Sequence, residues 1–332
     1  MTNVAFRLDA DTIVGTGHLM RCLTIADDLR ILNSCCHFFS RKLTRPLHDL
    51  LVCHGHKVHT VENEKEIISL IVNLNPELLI IDHYGLDARF ERKVSALSRR
   101  ILVIDDLADR SHKCDFLLDQ GPLRTTEDYR PWVNQECKFF LGTKFALIRP
   151  EFRKHRKSHC NSWEKGLICL GGSDPCNITL QILKALDRLI QMKEKKWTVL
   201  AGIANTHWKV LKQFSKQSSL DITMIRQSEK IAKLMANHDF AIGAAGGMTW
   251  ERACIGLPTL TIPIVYNQRF GIQEIKHFCL GQTLDVSEIC PNSMAIALDQ
   301  LQSQAEEYRQ NNFALVDGFG VKRLTKTLLT VC

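Results

Sequence analysis

The sequence predicts an α/β protein of two domains, each a parallel sheet covered by helices on both faces. Three observations carry this. Short apolar runs alternate with helical segments along nearly the whole chain, as parallel strands joined by crossover helices do. Three strand-to-helix corners carry glycine, at Gly15-Thr16-Gly17, Gly171-Gly172 and Gly246-Gly247. Finally, 332 residues with 45% hydrophobic content exceed the usual size of one domain and can fill two cores.

Bulk composition narrows the function classes without choosing one. Charged residues make up 24% of the chain, which argues against disorder as the dominant state. A formal net charge of +7 fits an anionic ligand, a nucleic acid or an anionic membrane surface. The one dense basic run, Arg153-Lys154-His155-Arg156-Lys157, reads as a solvated helix end or linker, because no aromatic residues interleave with it as a single-strand nucleic-acid platform requires. Thirteen cysteines occur without a C-x-x-C pair, and MTNVAFRLDA at the start lacks the charged-then-apolar pattern of a signal peptide. Reduced, mostly buried thiols in a cytoplasmic protein are therefore expected. No apolar run approaches the roughly 18 residues of a membrane span.

Val4–Leu8 reads as the first strand, followed by a polar turn through Gly15, Thr16 and Gly17 into a helix from His18 to Leu32. A dinucleotide fingerprint would need glycine at Met20. The second strand, Cys36–Ser40, ends at Ser40-Arg41 without the acidic residue that holds an NAD ribose, leaving only an NADP reading through Arg41. His18 stands where the helix opens. A helix N-terminus disfavours the imidazolium, so this histidine can take a proton from water; equally, it can pack against or cap the turn. Arg21, three residues on, can share its helix face. Further strands are expected at Lys57–Val61, Glu77–Asp82, Arg100–Asp105 and Phe116–Leu118, with helices near Pro46–Cys53, Lys65–Leu74 and Asp87–Leu97. Tyr84, beyond the carboxyl end of Glu77–Asp82, is placed to reach the same cleft as His18. The run Cys53, His54, His56, His59 matches no zinc spacing, and Asp105-Asp106 reads as a turn cap before a cation site. Lys138–Arg149 ends the first domain, Glu151–Trp163 is the linker, and the division is expected at 158/159.

The alternation then restarts. Leu167–Leu170 leads to Gly171, Gly172, Ser173 and a helix from Asn177 to Met192, a corner that adds a hydroxyl and an amide. Strands at Trp197–Ala201, Asp221–Ile225 and Asp239–Gly243 follow, with helices near Trp208–Lys216 and Ser228–Asn237. The stretch Asp239–Asn267 is the most informative. Glycines at Gly246-Gly247 let backbone N–H groups approach an anion, and the helix Met248–Cys254 adds its dipole, so this corner is a candidate phosphate cradle. Glu251, in the first turn, can accept two hydrogen bonds from a ribose diol or be there for the dipole alone. Leu257-Pro258 closes the helix, Thr259–Ile264 reads as a strand buried on both faces, and Asn267-Gln268 falls at its carboxyl end, where such sheets bind ligands. Gln282–Val286, Ser293–Gln310 and Gly320–Thr330 supply a strand and helices, the last with room to pack on the first domain.

Taken together, FRLDADTIVGTGHLMRCLTIADDL, VIDDLADRSHKCDFLLDQ, CLGGSDPCNIT and AIGAAGGMTWERACIGLPTLTIPIVYNQ resemble the UDP-sugar hydrolases of pseudaminic acid biosynthesis, the PseG family. The resemblance runs from Phe6 to Gln268 and beyond. It implies the GT-B architecture, two Rossmann-like domains, 1–158 and 159–332, whose parallel sheets face an interdomain cleft. It also implies removal of UDP from UDP-2,4-diacetamido-2,4,6-trideoxy-β-L-altrose, which would supply sugar for flagellin or surface glycan modification. The family's G-x-G-H histidine falls on His18, implying a base that activates water. The residues implied in substrate binding are Gly15, Thr16, Gly17, Arg21, Tyr84, Gly171, Gly172, Ser173, Asn177, Gly246, Gly247, Met248, Glu251 and Asn267, with Ile225 offering backbone to uracil. No cofactor, metal, nucleic acid or stable membrane association is implied, and the oligomeric state stays open. The rival readings are a GT-B glycosyltransferase, a sugar-nucleotide epimerase and a non-catalytic nucleotide-sugar sensor.

Overall fold

The computed structural model describes residues 2–10, 16–95, 100–156, 162–202, 204–228 and 230–331. The chain divides into two compact units, Met1–Ile148 with Phe319–Cys332, and Arg149–Gly318. The boundary lies before the expected 158, because the helix Pro150–Lys154 packs on the helix Met248–Ile255 of the second unit.

Unit 1 holds seven strands: β1 (Thr2–Leu8), β2 (Ser34–Ser40), β3 (Lys57–Thr60), β4 (Leu78–Asp82), β5 (Arg100–Ile104), β6 (Phe116–Asp119) and β7 (Lys138–Leu141). They form one sheet in the order β3-β2-β1-β4-β5-β6-β7, with every neighbouring pair parallel. β4 and β6 are buried along their whole length, as strands covered on both faces must be. Ala5, Leu79, Ile81, Ile101, Val103 and Leu117 pack with Ile67 and Ile71 of the helix Glu64–Leu74 and with Phe90 and Val94 of the helix Ala88–Val94. Asn63 caps the first of these helices by accepting the Glu66 N–H, and Asn75 ends it at φ 47°. The helix Gly320–Val331 completes unit 1: Leu324 and Leu328 are fully buried, and the Thr325 hydroxyl donates to Asp28 Oδ2 at 2.6 Å.

Unit 2 holds six strands: β8 (Lys165–Cys169), β9 (Lys196–Leu200), β10 (Asp221–Ile225), β11 (Phe240–Ala244), β12 (Thr259–Ile262) and β13 (Gln282–Thr283). Their order is β10-β9-β8-β11-β12-β13, again all parallel. Both sheets thus reverse direction of growth next to their first strand, between β1 and β4 and between β8 and β11. Crevices at the carboxyl ends of such a reversal are where open α/β sheets bind ligands.

Most expected elements are present within one or two residues, and the departures have local causes. β12 stops at Ile262 because Pro263 has no N–H to donate to the ladder. Of the segment Lys138–Arg149 expected to supply the last strands of the first domain, only β7 is a strand, because the chain turns at Gly142, at φ 86°, into a short 3-10 helix. The expected helix Ser293–Gln310 is two, Pro291–Ser303 and Ala305–Leu315. Arg156 of the basic run is spent internally, donating to the Val316 and Phe313 carbonyls at the end of the second of these. Eleven cysteines among the described residues are free, six of them buried. Among the described residues no helix is long and apolar enough to cross a membrane.

Asp119, at the end of β6, is 2% exposed. The Gly121 N–H donates to its Oδ1 at 2.7 Å; the Tyr129 hydroxyl lies 2.7 Å from Oδ2 and 3.1 Å from the Asp105 carbonyl. A protonated Asp119 satisfies every group, donating Oδ2–H to Tyr129 while Tyr129 donates to Asp105. Burial, with Asp106 and Asp105 nearby, outweighs the two hydrogen bonds and pushes this carboxyl up to about 7. A carboxyl raised above its unfolded pKa holds its proton more tightly in the native state, so stability is greatest below about pH 4 and is lost as the pH rises to 7. Asp119→Asn, which mimics the protonated form, is expected to gain on the native chain by about 1.4 kcal/mol per pH unit between pH 4 and 7 and no further above that. Urea denaturation of both proteins at pH 4.5, 6 and 8 measures the difference; a gap independent of pH contradicts the assignment.

Candidate active site

β1 and β4 end side by side, with Leu8 in register with Asp82, and the helix Gly17–Ile31 starts above them. Among the described residues no side chain caps that helix, and its first turn holds no acidic residue. Gly15 lies outside the described residues. Thr16 is the N-cap, and a Cβ added at Gly17 would meet nothing within 4 Å. His18, 6% exposed, points its Nδ1 at Asp82 Oδ1, 2.5 Å away. Arg21, one turn on, grips both oxygens of Asp82, at 2.5 and 2.6 Å, and reaches Asp106 Oδ2 at 2.9 Å. Burial alone pushes the Asp82 carboxyl up, but the Arg21 charge and then His18 outweigh it and hold it well below the usual range. Asp82 is therefore ionised and acceptor-only, so Nδ1 of His18 carries the proton that donates to it, and the tautomer this selects for a neutral ring has its lone pair on Nε2. Tyr84 sets its ring edge-on to His18, 4.6 Å between centroids, and donates to Asp106 Oδ2 at 3.3 Å. The structure thus brings His18, Arg21 and Tyr84 together.

A second histidine ends β4 but has no free nitrogen. His83 Nδ1 accepts the Gly85 N–H at 2.9 Å, which leaves Nε2–H to donate to Asp9 at 3.1 Å. Asp105 accepts the Ala108 N–H, capping its turn. In the Cys53–His59 run, His54 and His56 share Asp27, at 2.9 and 3.0 Å, while His59 stacks on Phe39 and His37. The run therefore does not converge on one point.

The two glycine corners of unit 2 differ. At the end of β8, Asp174 is 2% exposed and accepts the N–H groups of Ile178 and Thr179, at 2.8 and 2.9 Å. That helix is capped from within, so an anion there is left with the backbone of Gly171, Gly172 and Ser173, and Gly172 already gives its carbonyl to the Ala204 N–H. Asn177 is the N-cap at φ 52°, with its buried Oδ1 unpartnered. At the end of β11 no side chain among the described residues caps the helix Met248–Ile255. A Cβ at Gly247 would meet nothing within 4 Å, and one at Gly246 only Gln268 Nε2, at 3.6 Å. Packing does not require glycine here, so the space it keeps open lies over the helix end formed by Gly246, Gly247 and Met248.

Glu251 is 7% exposed and is engaged: Arg149 Nε and Nη2 both bond to Oε1, at 2.9 and 2.8 Å. Burial raises its pKa, and the Arg149 charge opposes this. A ribose diol would have Oε2 to itself and share Oε1. The Ile225 carbonyl already accepts the Ala201 N–H at 2.9 Å, so the backbone expected to meet uracil is part of the sheet ladder. Asn267 is exposed in the turn Tyr266–Gln268; Gln268 is the neighbour that lies beside Gly246 and accepts the Ile264 N–H. Sequence reasoning did not single out Asp82, Arg149 or Asp174, and it gave Asp106 as a turn cap and Gln268 as a strand-end residue without naming their partners. Asp82 had a signal, an acid closing a strand that is otherwise all Leu and Ile; Arg149 had none, lying 102 residues from Glu251.

No protein-family model matches the chain. It is 30% identical over 269 residues to the UDP-2,4-diacetamido-2,4,6-trideoxy-β-L-altropyranose hydrolase of Campylobacter jejuni, covering 80% of this chain and 93% of that protein. It is 23% identical over 326 residues to the spore coat polysaccharide biosynthesis protein SpsG of Bacillus subtilis, covering 95% and 94%. Among solved structures, the MurG of Acinetobacter baumannii superposes with a TM-score of 0.69 at 13% identity, over 99% of this chain and all of that one. TcCGT1 in complex with UDP superposes with a TM-score of 0.62 at 10% identity, over 99% of each. The fold is therefore GT-B, and the chain belongs to the family of the UDP-2,4-diacetamido-2,4,6-trideoxy-β-L-altropyranose hydrolases.

Proposed function

We propose that this chain hydrolyses UDP-2,4-diacetamido-2,4,6-trideoxy-β-L-altrose to UDP and the free sugar, with His18 as the base that activates water. The observation that carries the reading is the ionised Asp82 on His18 Nδ1, which fixes the tautomer whose Nε2 accepts a proton. The water oxygen attacks the anomeric carbon, its proton passes to Nε2, and the bond from that carbon to the phosphate oxygen breaks with its electron pair leaving on UDP. Attack opposite the leaving group inverts the anomeric centre. The uncapped corner at Gly246, Gly247 and Met248 is assigned to the diphosphate, whose growing charge preorganised N–H groups and the helix dipole stabilise; one such donor is typically worth about 2.7–4 kcal/mol. Glu251, steadied by Arg149, is assigned to the ribose. The hydrolase of Campylobacter jejuni supports this substrate and reaction. Transfer of the sugar from the UDP donor to an acceptor hydroxyl, with UDP leaving, is the rival outcome and the chemistry of a glycosyltransferase.

Incubation with the UDP-sugar in ¹⁸O-water and no acceptor tests the reaction. Free sugar with UDP that carries no ¹⁸O is the expected result; label in UDP would mean attack at phosphorus, and intact substrate would exclude hydrolysis. His18→Asn is expected to lower kcat by about 100–10,000-fold with UDP affinity unchanged, as loss of a general base does; near-native turnover would remove His18 from the mechanism. Asp82→Asn is expected to lower kcat at least 100-fold, since the tautomer is no longer fixed, and to destabilise the fold by about 3–5 kcal/mol by leaving Arg21 underpaired. Glu251→Ala is expected to weaken UDP binding with kcat nearly unchanged, read by calorimetric titration; unchanged affinity would contradict the ribose assignment.

A further inference from the structure

Arg252 follows Glu251 in the helix Met248–Ile255 and is 2% exposed. Its Nη2 donates to the Ala244 carbonyl at 2.8 Å and to Thr249 Oγ1 at 3.2 Å. Nε and Nη1 have no hydrogen-bond partner, and no carboxylate pairs with this guanidinium among the described residues; the adjacent Glu251 is bound by Arg149. The site is built to hold it. A Cβ at Gly243 would lie 2.5 Å from Nη1, so glycine in the middle of β11 is what lets the guanidinium lie against the strand.

A buried cation without a counter-charge is normally lost or paired. Burial pushes the Arg252 pKa down to about 10, which still leaves it charged at neutral pH. A hollow of about 10 Å³ borders it, lined by Thr249, Thr259, Thr261 and Asn312 with Leu257 and Ile275. That is room for one water and not for a phosphate. The carboxylate whose charge reaches Arg252 is Glu251, which Arg149 already binds, so the pair of arginines exceeds the acid between them by one charge. Ala244, the residue whose carbonyl Arg252 holds, ends β11 two residues before Gly246, so the guanidinium is anchored at the base of that corner.

We propose that Arg252 is a permanent buried positive charge that draws the diphosphate to the Gly246–Gly247 corner through its field, without touching it, and so makes the corner prefer the more highly charged nucleotide. This rests on the assignment of that corner to the diphosphate. The free protein carries the unpaired charge; the bound nucleotide supplies the missing counter-charge. At the effective dielectric of a protein surface, a unit charge within roughly 10 Å of a diphosphate is worth at least about tenfold in affinity.

Calorimetric titration of the native chain, Arg252→Met and Arg252→Lys with UDP, UMP and uridine tests this. Arg252→Met is expected to bind UDP about tenfold more weakly, UMP less affected, and uridine as the native chain does; Arg252→Lys is expected to stay within about threefold for all. The melting temperature of Arg252→Met is expected to equal or exceed the native value, because an unpaired buried charge has been removed. An equal loss for all three ligands would reduce Arg252 to a packing residue, and no loss for UDP would leave it without the proposed role. If the native chain binds uridine or nothing but not UDP, the diphosphate assignment itself falls; if it binds UDP and Arg252→Met binds it equally, only the field of Arg252 does.

Discussion

Asp82 is a fully buried carboxylate that stays ionised because Arg21 closes on both of its oxygens and His18 donates to one of them. Everything in the unit 1 site follows from that arrangement. Arg21 neutralises the acid, so His18 is held by a hydrogen bond and not required as its counter-ion. Asp106 takes the remaining arm of Arg21 and the hydroxyl of Tyr84, which in turn walls the imidazole. The parallel sheet makes this possible: only strands that end together, on the two sides of the reversal in strand order, bring an acid from residue 82 beneath a helix that starts at residue 17.

The two glycine corners of unit 2 are similar in sequence and differ in structure. Both corners follow an apolar strand and carry paired glycines, yet one helix is closed by Asp174 and the other is left open. A carboxylate seated on the first N–H groups takes up the donors a phosphate needs and adds like charge. The open corner instead has a buried guanidinium behind it, so the two helix ends differ in electrostatic sign as well as in vacancy.

The fold was legible from alternation alone, because a strand buried on both faces has to be almost wholly apolar and a crossover helix has to be amphipathic. Element ends were legible where the backbone has a hard rule, as at Pro263, and not where tertiary packing decides, as in the split of 293–310 into two helices. In the candidate site, the residues that sequence singles out lie on local segments: His18, Arg21, Gly246, Gly247 and Glu251 all sit within a turn of a glycine corner. Their partners do not. Asp82 and Arg149 come from 64 and 102 residues away, and nothing local distinguishes an arginine that will pair with Glu251 from the neighbouring Arg153 or Arg156. The same holds for Asp174, whose capping role depends on a left-handed backbone at φ 45° that composition does not announce.

The helix Gly320–Val331 belongs to unit 1 although 170 residues of unit 2 precede it in the chain. The bond from Thr325 to Asp28 that fastens this helix spans 297 residues of sequence. Unit 1 is therefore a discontinuous domain, and closing its apolar surface carries the loop-closure entropy of a connection that runs through the whole of unit 2. Contacts of such high sequence separation slow folding more than they lower stability, so unit 1 is expected to close after its own sheet has formed.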